Sequence, residues 1–267
     1  MTPKQFRIQT LNAIDAAGLS RFPDDRYEVG AGVQNPHALL LRSAKLHDTP
    51  IPESVLAVAR AGAGTNNIPV AALTERGVPV FNTPGANANA VKELVLAGLF
   101  IASRNLIPAA RFAHTLQGDD AAIAAAVEAG KKRFVGFELP GRTLGIIGLG
   151  AIGVQVANAA LGLGLRVVGY DPAISVEHAW LLSSEVERAQ SIDEVFRRAD
   201  ILTVHVPLIP STEGLVSTQK IAMMKPTAVI LDFARAEIVD TEAVVTALDE
   251  DRLTGYVCDF PSTLVHK

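Results

Sequence analysis

A glycine-rich turn joins an apolar run to an amphipathic one near the middle of this sequence. The run Leu144–Ile147 leads into Gly148-Leu-Gly150-Ala-Ile-Gly153, a GxGxxG pattern followed by a helical pattern. The first glycine permits a tight bend, the second lets backbone approach a pyrophosphate, and the third allows close helix–strand packing. Residues 144–171 are therefore predicted to form a strand–turn–helix–strand unit that binds a dinucleotide.

An acidic residue ends the second strand of this unit and indicates which dinucleotide is bound. A GxGxxG pattern alone is a weak signal, and a glycine-rich turn beside a surface aspartate is the alternative. Asp171 follows the apolar strand Arg166–Tyr170. A carboxylate there accepts hydrogen bonds from ribose hydroxyls and repels a 2′-phosphate, so NAD is favoured over NADP. The predicted cofactor contacts here are Gly148, Gly150, Ala151, Ile152, Gly153 and Asp171.

Short apolar runs alternate with helical patterns along the whole chain, which predicts an α/β fold. Hydrophobic residues make up 49% of the 267 residues but aromatic residues only 5%, a bias typical of buried parallel strands covered by helices. We expect a Rossmann-type doubly wound parallel sheet plus a smaller flavodoxin-like α/β domain, with a boundary near residue 104. Predicted strands are 7–11, 27–29, 38–42, 57–61, 78–82, 143–147, 166–170, 201–206, 228–232 and 255–259. Predicted helices are 90–104, two within 106–132, 151–163, 192–198, 218–224 and 241–249, and the first of them is expected to be buried between two domains.

Charge and cysteine content exclude several other classes of function. The net charge is −4, and the densest basic cluster, 131–133, is typical of a solvated helix end, so no nucleic-acid partner is expected. Cys258 is the only cysteine, which excludes an intrachain disulfide or a cysteine metal cage, and its apolar neighbours suggest a buried thiol. The polar N-terminus and short apolar runs predict a cytoplasmic protein with no metal and no membrane partner.

Further segments carry a resemblance to a known family. They are Leu41–Ala44, Arg60–Ile68, Asn82–Glu93, His205–Pro207 and Ala234–Arg235. With the glycine turn, they make nearly the whole chain resemble the D-2-hydroxyacid dehydrogenases, and most of all the short bacterial branch that acts on 3-phosphoglycerate. The resemblance implies hydride transfer between C2 of a 2-hydroxy acid and nicotinamide. It also implies a substrate domain at 1–104, an NAD domain at 105–267 and a homodimer joined through the NAD domain, using the helices before residue 133.

The resemblance also implies roles for residues near the nicotinamide. Arg235 matches the arginine that holds the substrate carboxylate, a role for which guanidinium offers bidentate pairing; a surface ion pair is the alternative. Phe233 and Ala234 would border the nicotinamide. Asp259 matches an acid on the nicotinamide side, although a turn or cap residue is also open. The segment His205, Val206 and Pro207 would lie beside the cofactor, with His205 shaping the strand end rather than moving protons.

Substrate contacts are implied in the first domain. Ala63 and Gly64 match a loop whose N–H groups meet the substrate carboxylate, and Asn87 matches a polar residue near the cleft, although Asn87 and Asn89 could equally be helix caps. A phosphorylated substrate needs additional cations, and each candidate could instead be a surface charge. These candidates are Arg42, Lys45, Arg60 and Lys92. Together they favour 3-phosphoglycerate, the entry to serine biosynthesis, over glyoxylate or hydroxypyruvate.

Two departures from the family pattern concern acid–base chemistry. The family glutamate is expected just after Asp259-Phe-Pro261, where this chain has Ser262, Thr263 and Leu264. The family histidine has no matching segment, because His266 lacks the expected context. We expect either that the natural chain continues beyond Lys267 and supplies the histidine, or that the protein is catalytically impaired. The second case corresponds to an NAD-sensing interaction protein.

Overall fold

The protein divides into two compact units. A computed structural model describes residues 5–260 and 262–265, so Pro261 and His266 lie outside the described residues. The units divide between Asn87 and Ala88. The sequence placed a boundary near residue 104, at the other end of the helix that follows Asn87. The contact division falls earlier because this helix packs against a helix of the second unit.

The first unit is a five-stranded parallel sheet. Its strands are β1 (Phe6–Leu11), β2 (Tyr27–Gly30), β3 (Ala38–Leu41), β4 (Ala57–Arg60) and β5 (Val80–Phe81). The spatial order is β2-β1-β3-β4-β5, the flavodoxin-like order of a doubly wound sheet. The helices α1 (Ala16–Leu19) and α2 (Val70–Glu75) belong to this unit, and Leu41, Val58 and Leu73 form the centre of its core.

The second unit contains a six-stranded parallel sheet. Its strands are β6 (Thr143–Ile147), β7 (Arg166–Tyr170), β8 (Glu187–Arg188), β9 (Ile201–Val204), β10 (Val229–Asp232) and β11 (Gly255–Cys258). The spatial order is β11-β10-β9-β6-β7-β8. Renumbered within the unit this is the 3-2-1-4-5-6 order of the Rossmann fold. The predicted fold class is therefore confirmed for both sheets.

Eight α-helices are described in the second unit. They are α3 (Ala88–Ser103), α4 (Leu106–His114), α5 (Asp120–Gly130), α6 (Ala151–Gly162), α7 (Val176–Leu181), α8 (Ile192–Arg198), α9 (Thr218–Ile221) and α10 (Thr241–Asp249). Short 3-10 helices cover Lys131–Phe134 and Ala236–Ile238. The predicted helix 218–224 ends earlier, at Ile221, because the chain tightens into i→i+3 turns ahead of Pro226, which disfavours helix in the residue before it.

Helix α3 is apolar but not enclosed within its own unit. Val95 and Leu99 are buried against the sheet, whereas Leu94 and Phe100 are 43% and 42% exposed. The expectation that this helix lies buried between two domains stays a prediction. Among the helices of the described residues, none combines the length and the apolar character needed to cross a membrane.

Both faces of the second sheet are buried, which explains its nearly continuous apolar strands. Neighbouring residues point to opposite sides: Val167 lies in the core next to α3 and α6, whereas Val168 lies in the core formed with α8 and α10. Full burial of one such aliphatic side chain contributes about 1.5–3 kcal/mol. A sheet covered on both faces leaves its carboxyl edge as the place where polar residues can gather.

Candidate functional site

Nearly all the residues singled out in the second unit lie at the carboxyl edge of its sheet. The strand ends of a parallel doubly wound sheet converge there, and ligands bind outside that edge. The residues that follow successive strands are Gly148 after β6, Asp171 after β7, His205 after β9, Phe233 to Arg235 after β10 and Asp259 after β11. The sheet therefore brings the predicted cofactor residues to one edge, although they are spread over more than a hundred positions of the sequence.

The glycines of the turn are required for different reasons. Gly148 has a φ of +94°, and a Cβ there would lie 2.8 Å from the carbonyl oxygen of His205. A Cβ on Gly153 would lie 2.0 Å from the carbonyl oxygen of Gly148, so any side chain would force helix and turn apart. A Cβ on Gly150 would meet nothing within 4 Å. Packing within the fold therefore requires glycine at positions 148 and 153. At Gly150 no neighbouring atom requires the absence of a side chain, so the space beside the turn is open.

Helix α6 begins at this turn without a side-chain cap. Gly150 is its N-cap residue and offers no side-chain hydrogen bond. The first N–H groups of a helix have no acceptor within the helix, and Val154 is the first residue whose N–H bonds back to Gly150. The backbone ahead of Val154 can therefore donate to an anionic ligand, which the helix dipole also favours.

Asp171 stabilises the glycine turn by a hydrogen bond and also lines a cavity. Its Oδ2 accepts a hydrogen bond of 2.8 Å from the N–H of Leu149, and its Oδ1 accepts one of 2.9 Å from the N–H of Ala173. The carboxylate thus ties the end of β7 to the turn after β6. It also lines a cavity of about 400 Å³. The walls of this cavity are Leu149, Gly169, Tyr170, Pro172, Ile174, Leu182, Val186, Glu187, Arg188, Ala189 and Gln190.

His205 is enclosed at the end of β9. Its Nε2 lies 3.1 Å from the hydroxyl of Thr203, and its Nδ1 is buried without a hydrogen-bond partner in the described residues. Burial lowers the pKa of His205 to about 4, which keeps the imidazole neutral near neutral pH. This state agrees with a structural rather than a proton-transferring role. The backbone of His205 and the side chain of Val206 pack directly against Gly148.

Arg235 follows the end of β10 by three residues. Its side chain is exposed, and its Nη1 donates a hydrogen bond of 2.6 Å to the carbonyl oxygen of Ala234. Within the part of the chain that the structure describes, no carboxylate forms an ion pair with it. The alternative of a surface ion pair therefore gains no support, and the guanidinium keeps donors for a ligand carboxylate.

The neighbours of Arg235 differ in what they can offer a ligand. Phe233 and Ala234 are 9% and 8% exposed. The Phe233 ring packs on α3 so closely that a Cβ on Gly98 would lie 3.2 Å from it. Their side chains therefore belong to the core, and contact with a nicotinamide would involve mainly backbone. Asp259 is exposed after β11, while Cys258 is half-buried rather than buried as expected.

This region also contains a buried polar pair that no sequence motif indicates. Asp232, the last residue of β10, is fully buried, and the hydroxyl of Tyr256 donates a hydrogen bond of 3.3 Å to its Oδ2. The signal was present, because Asp232 interrupts the apolar run Ala228–Leu231. Sequence alone could not show that a tyrosine on the neighbouring strand faces it.

The loops after β3 and β4 in the first unit form a hydrogen-bonded cluster. Asn12 accepts hydrogen bonds of 2.9 and 2.7 Å from the N–H groups of Ser43 and Ala44. The guanidinium of Arg60 donates to the carbonyl oxygens of Arg42 and Gly64, so it braces these loops. Among the described residues of this unit, neither Ala63 nor Gly64 uses its N–H as a hydrogen-bond donor.

The other cations and amides predicted to bind substrate fall into two groups. Arg42 and Lys45 are exposed, and neither forms an ion pair within the described residues. Lys92 donates a hydrogen bond of 2.6 Å to Asn89, which in turn donates to Glu93. Asn89 is thus inside α3 rather than its cap, while Asn87 immediately precedes the helix and is exposed.

Comparison with known proteins identifies the family. The family model of the D-isomer specific 2-hydroxyacid dehydrogenase, NAD binding domain, matches residues 99–263, which is more than half of the chain. The chain belongs to this family. The second unit, with its glycine turn and Asp171 at the sheet edge, is accordingly an NAD-binding domain, and the family resemblance and the predicted cofactor are confirmed.

The relatives of this dehydrogenase-family chain include longer proteins. D-3-phosphoglycerate dehydrogenase of Methanocaldococcus jannaschii is 40% identical over 207 residues, covering 78% of this chain and 37% of that protein. The protein of the same name from Synechocystis is 34% identical over 83% of this chain and 38% of its own length. The chain thus spans about two fifths of these relatives. The apo structure of Rhodotorula graminis D-mandelate dehydrogenase has a TM-score of 0.80 at 26% identity, with 99% of this chain and 86% of that chain covered.

The residues at the sheet edge fit NAD on structural grounds. Open space beside Gly150, N–H groups at the start of α6 that have no acceptor within the described residues and a carboxylate at the end of β7 match a pyrophosphate followed by a ribose without a 2′-phosphate. Asp171 lies beside the cavity of about 400 Å³, which lies within the size range of ligand pockets.

We predict that Asp171→Asn relaxes the preference for NADH over NADPH. The amide oxygen can still accept from the N–H of Leu149, so the turn keeps its brace, whereas the charge that repels a 2′-phosphate is lost. The dissociation constant for NADPH divided by that for NADH should fall about tenfold, the equivalent of roughly 1.4 kcal/mol. Fluorescence titration with each nucleotide measures it, with Asp249→Asn at the end of α10 as control. An unchanged ratio would contradict the role of Asp171.

Proposed function

We propose that this protein is an NAD-dependent dehydrogenase that oxidises D-3-phosphoglycerate to 3-phosphohydroxypyruvate, the entry reaction of serine biosynthesis. The observation that carries the proposal is the position of Arg235. A guanidinium without a carboxylate partner in the described residues follows β10, at the same sheet edge as the NAD-binding turn after β6. The names of the two curated relatives support the choice of substrate.

Within this proposal, the chain's own residues bind and orient. Arg235 pairs with the carboxylate of the 2-hydroxy acid, because a guanidinium can donate two parallel hydrogen bonds to it. The half-buried His205, neutral near neutral pH, and Val206 hold the turn at Gly148. Asp171 holds the ribose, and Asp259 lies on the nicotinamide side. When bound, NAD supplies the hydride acceptor.

The first unit contributes substrate contacts in the same proposal. The N–H groups of Ala63 and Gly64, which have no acceptor among the described residues, would donate to the substrate carboxylate. Arg42 and Lys45 carry exposed charge for a phosphate, and Asn87 is a further polar contact. Arg60 acts mainly through the loops that it braces, since its guanidinium donates to backbone carbonyls.

The proton released with the hydride has no assigned acceptor in the described residues. The family glutamate has no counterpart among Ser262, Thr263 and Leu264. This observation favours a second candidate function, in which the protein binds NAD and reports its level to a partner without turning over a 2-hydroxy acid. Another 2-hydroxy acid or hydroxypyruvate as substrate is a further alternative within the enzyme class.

Turnover separates these candidates. The full chain is incubated with NAD and D-3-phosphoglycerate, and NADH formation is followed by absorbance, with D-glycerate, D-lactate and D-mandelate in parallel. The proposal expects the highest kcat/KM for the phosphorylated acid. It also expects that Arg42→Ala with Lys45→Ala raises KM about tenfold, or roughly 1.4 kcal/mol, for that acid and not for D-glycerate. Tight NADH binding without any turnover would support the sensing function instead.

We further propose a homodimer joined through the NAD domain. The segment from α3 to the 3-10 helix 131–134 exposes several large apolar side chains, more than isolated surface residues require. They are Leu94, Phe100, Leu106, Ile107 and Val127. Light scattering of the full chain should give twice the monomer mass, and Leu106→Asp with Ile107→Asp should reduce it to the monomer mass. A monomeric wild type would contradict this assembly.

A further inference from the structure

A carboxyl group without solvent access lies three residues before Arg235, the proposed anchor for the substrate carboxylate. Asp232 is fully buried at the end of an apolar strand, between Leu231 and Phe233. Burying such a group is costly unless its oxygens are hydrogen-bonded. Both oxygens have a partner: Oδ1 accepts from the N–H of Ala234 at 3.2 Å, and Oδ2 accepts from the hydroxyl of Tyr256 at 3.3 Å.

These two bonds connect the anchor to the neighbouring strand. The bond to the N–H of Ala234, two residues on, is the local turn that aspartate side chains favour, and it sets the backbone that enters Arg235. On the far side, the carbonyl oxygen of Arg235 accepts a hydrogen bond of 3.1 Å from the N–H of Ile238. Tyr256 lies on β11, which pairs with β10. The backbone of Arg235 is thus held on both sides.

We propose that Asp232 and Tyr256 form a positioning pair that holds the backbone of Arg235, and through it the guanidinium, in the geometry that binds the substrate carboxylate. The inference rests on the proposed role of Arg235. It assigns a function to two residues that the cofactor turn and the anchor do not use. Neither residue needs to touch substrate, because a small displacement of a bidentate donor already weakens the pairing.

The charges that face Asp232 make this pair sensitive to pH. Burial raises the pKa of Asp232 to about 6. The hydrogen bonds from Ala234 and Tyr256 oppose this rise, and the negative charges of Asp259 and Glu237 add to it. On β11, burial first and then the charge of Asp232 and the thiol of Cys258 raise the pKa of Tyr256, so its hydroxyl stays protonated and remains a donor.

The raised pKa of Asp232 determines the direction in which stability and ligand binding change with pH. The folded pKa of about 6 lies above the ordinary value of 3.8, so the folded state binds more protons between these values. The Asp232 contribution to the free energy of unfolding therefore decreases as pH rises through that window and is level above it. An ionised carboxylate is the stronger hydrogen-bond acceptor, so the anchor is held more firmly above about pH 6.

The test measures ligand affinity rather than turnover. The full chain, saturated with NADH, is titrated with oxamate, a carboxylate analogue of a 2-oxo acid that takes no hydride. Tyr256→Phe and Asp232→Leu should weaken oxamate binding about 3- to 10-fold, the equivalent of one lost hydrogen bond, and leave NADH affinity within about twofold. Asp232→Asn keeps a neutral acceptor for Ala234, so it should bind oxamate more tightly than Asp232→Leu and about as the wild type does near pH 5. It should also abolish the change in affinity between about pH 5 and about pH 7.5.

A matched control separates positioning from general destabilisation. Asp200 precedes β9 at the opposite edge of the sheet, where it accepts from the N–H of Thr143 and pairs with Lys225. Asp200→Asn should lower the melting temperature and leave oxamate affinity unchanged. If Asp232→Leu fails to fold, Tyr256→Phe and Asp232→Asn still decide the question.

The outcomes also distinguish this inference from the proposed function. Suppose that Arg235→Gln abolishes oxamate binding while the Tyr256 and Asp232 variants bind like the wild type. Then Asp232 and Tyr256 do not position Arg235, whereas the carboxylate-binding role of Arg235 is retained. Loss of NADH and oxamate affinity in equal proportion likewise overturns positioning. If the wild type does not bind oxamate, or binds it independently of Arg235, both the proposed function and the inference fail.

Discussion

Gly150→Ala is expected to fold normally and to lose most of its affinity for NADH. A Cβ at this position meets no atom within 4 Å, and the backbone there has ordinary dihedral angles, with a φ of −77°. The methyl group would instead occupy the space into which a pyrophosphate fits. Overpacking of this kind costs about 1–3 kcal/mol, so the dissociation constant should rise about 10- to 100-fold. Fluorescence titration with NADH measures it.

Two neighbouring glycines provide the controls for this substitution. Gly162→Ala, at the end of α6, also meets open space and should bind NADH like the wild type while gaining slightly in helix stability. Gly153→Ala places a Cβ 2.0 Å from the Gly148 carbonyl oxygen, so it should lower the free energy of unfolding by more than about 3 kcal/mol. If Gly150→Ala binds NADH normally, the turn does not hold the pyrophosphate.

Arg235→Lys is expected to reduce kcat/KM for D-3-phosphoglycerate in the proposed reaction about 10- to 100-fold. A lysine keeps the charge but offers a point charge instead of two parallel donors, and losing one hydrogen bond to a charged group costs about 1.5–3 kcal/mol. NADH affinity should stay within about twofold, because the turn after β6 is untouched. Steady-state kinetics with D-3-phosphoglycerate and NADH titration together provide the measurement.

The control for Arg235→Lys is an exposed arginine on a helix of the same unit. Arg197 on α8 is exposed and lies 3.9 Å from Asp193, a surface pair of a kind worth about 0–1 kcal/mol. Arg197→Lys should leave both kinetics and NADH affinity unchanged. If Arg235→Lys has kinetics like those of the wild type, a carboxylate anchor at this position is excluded.

Local patterns were sufficient for most of the fold. The GxGxxG pattern predicted the bend at Gly148 and the start of α6, because the steric need for glycine is set within a few residues. Apolar runs predicted nearly every strand of the two sheets. The division after Asn87 could not be obtained in this way, since it depends on which partner the apolar helix α3 packs against. A short strand such as β8 (Glu187–Arg188) was also missed, because two polar residues carry no periodic signal.

The candidate site was predicted only in part. Motifs predict Gly148, Asp171 and Arg235 as site residues. The structure adds that Asp171 accepts a hydrogen bond from the N–H of Leu149 and that the guanidinium of Arg60 donates to loop carbonyls. The side chains of Phe233 and Ala234 turned out to be core residues. Such distinctions depend on which way a side chain points, and a strand end gives no periodicity from which to infer it.

The family, the doubly wound class and the dinucleotide turn follow from the amino-acid sequence, because each depends on residue types at short, fixed spacings. The contact of Asp232 with Tyr256 is visible only in the folded chain, because it depends on the parallel pairing of β10 with β11. Burial in the folded chain raises the Asp232 pKa to about 6. Burial and long-range neighbours are properties of the folded chain, and no local pattern contains them.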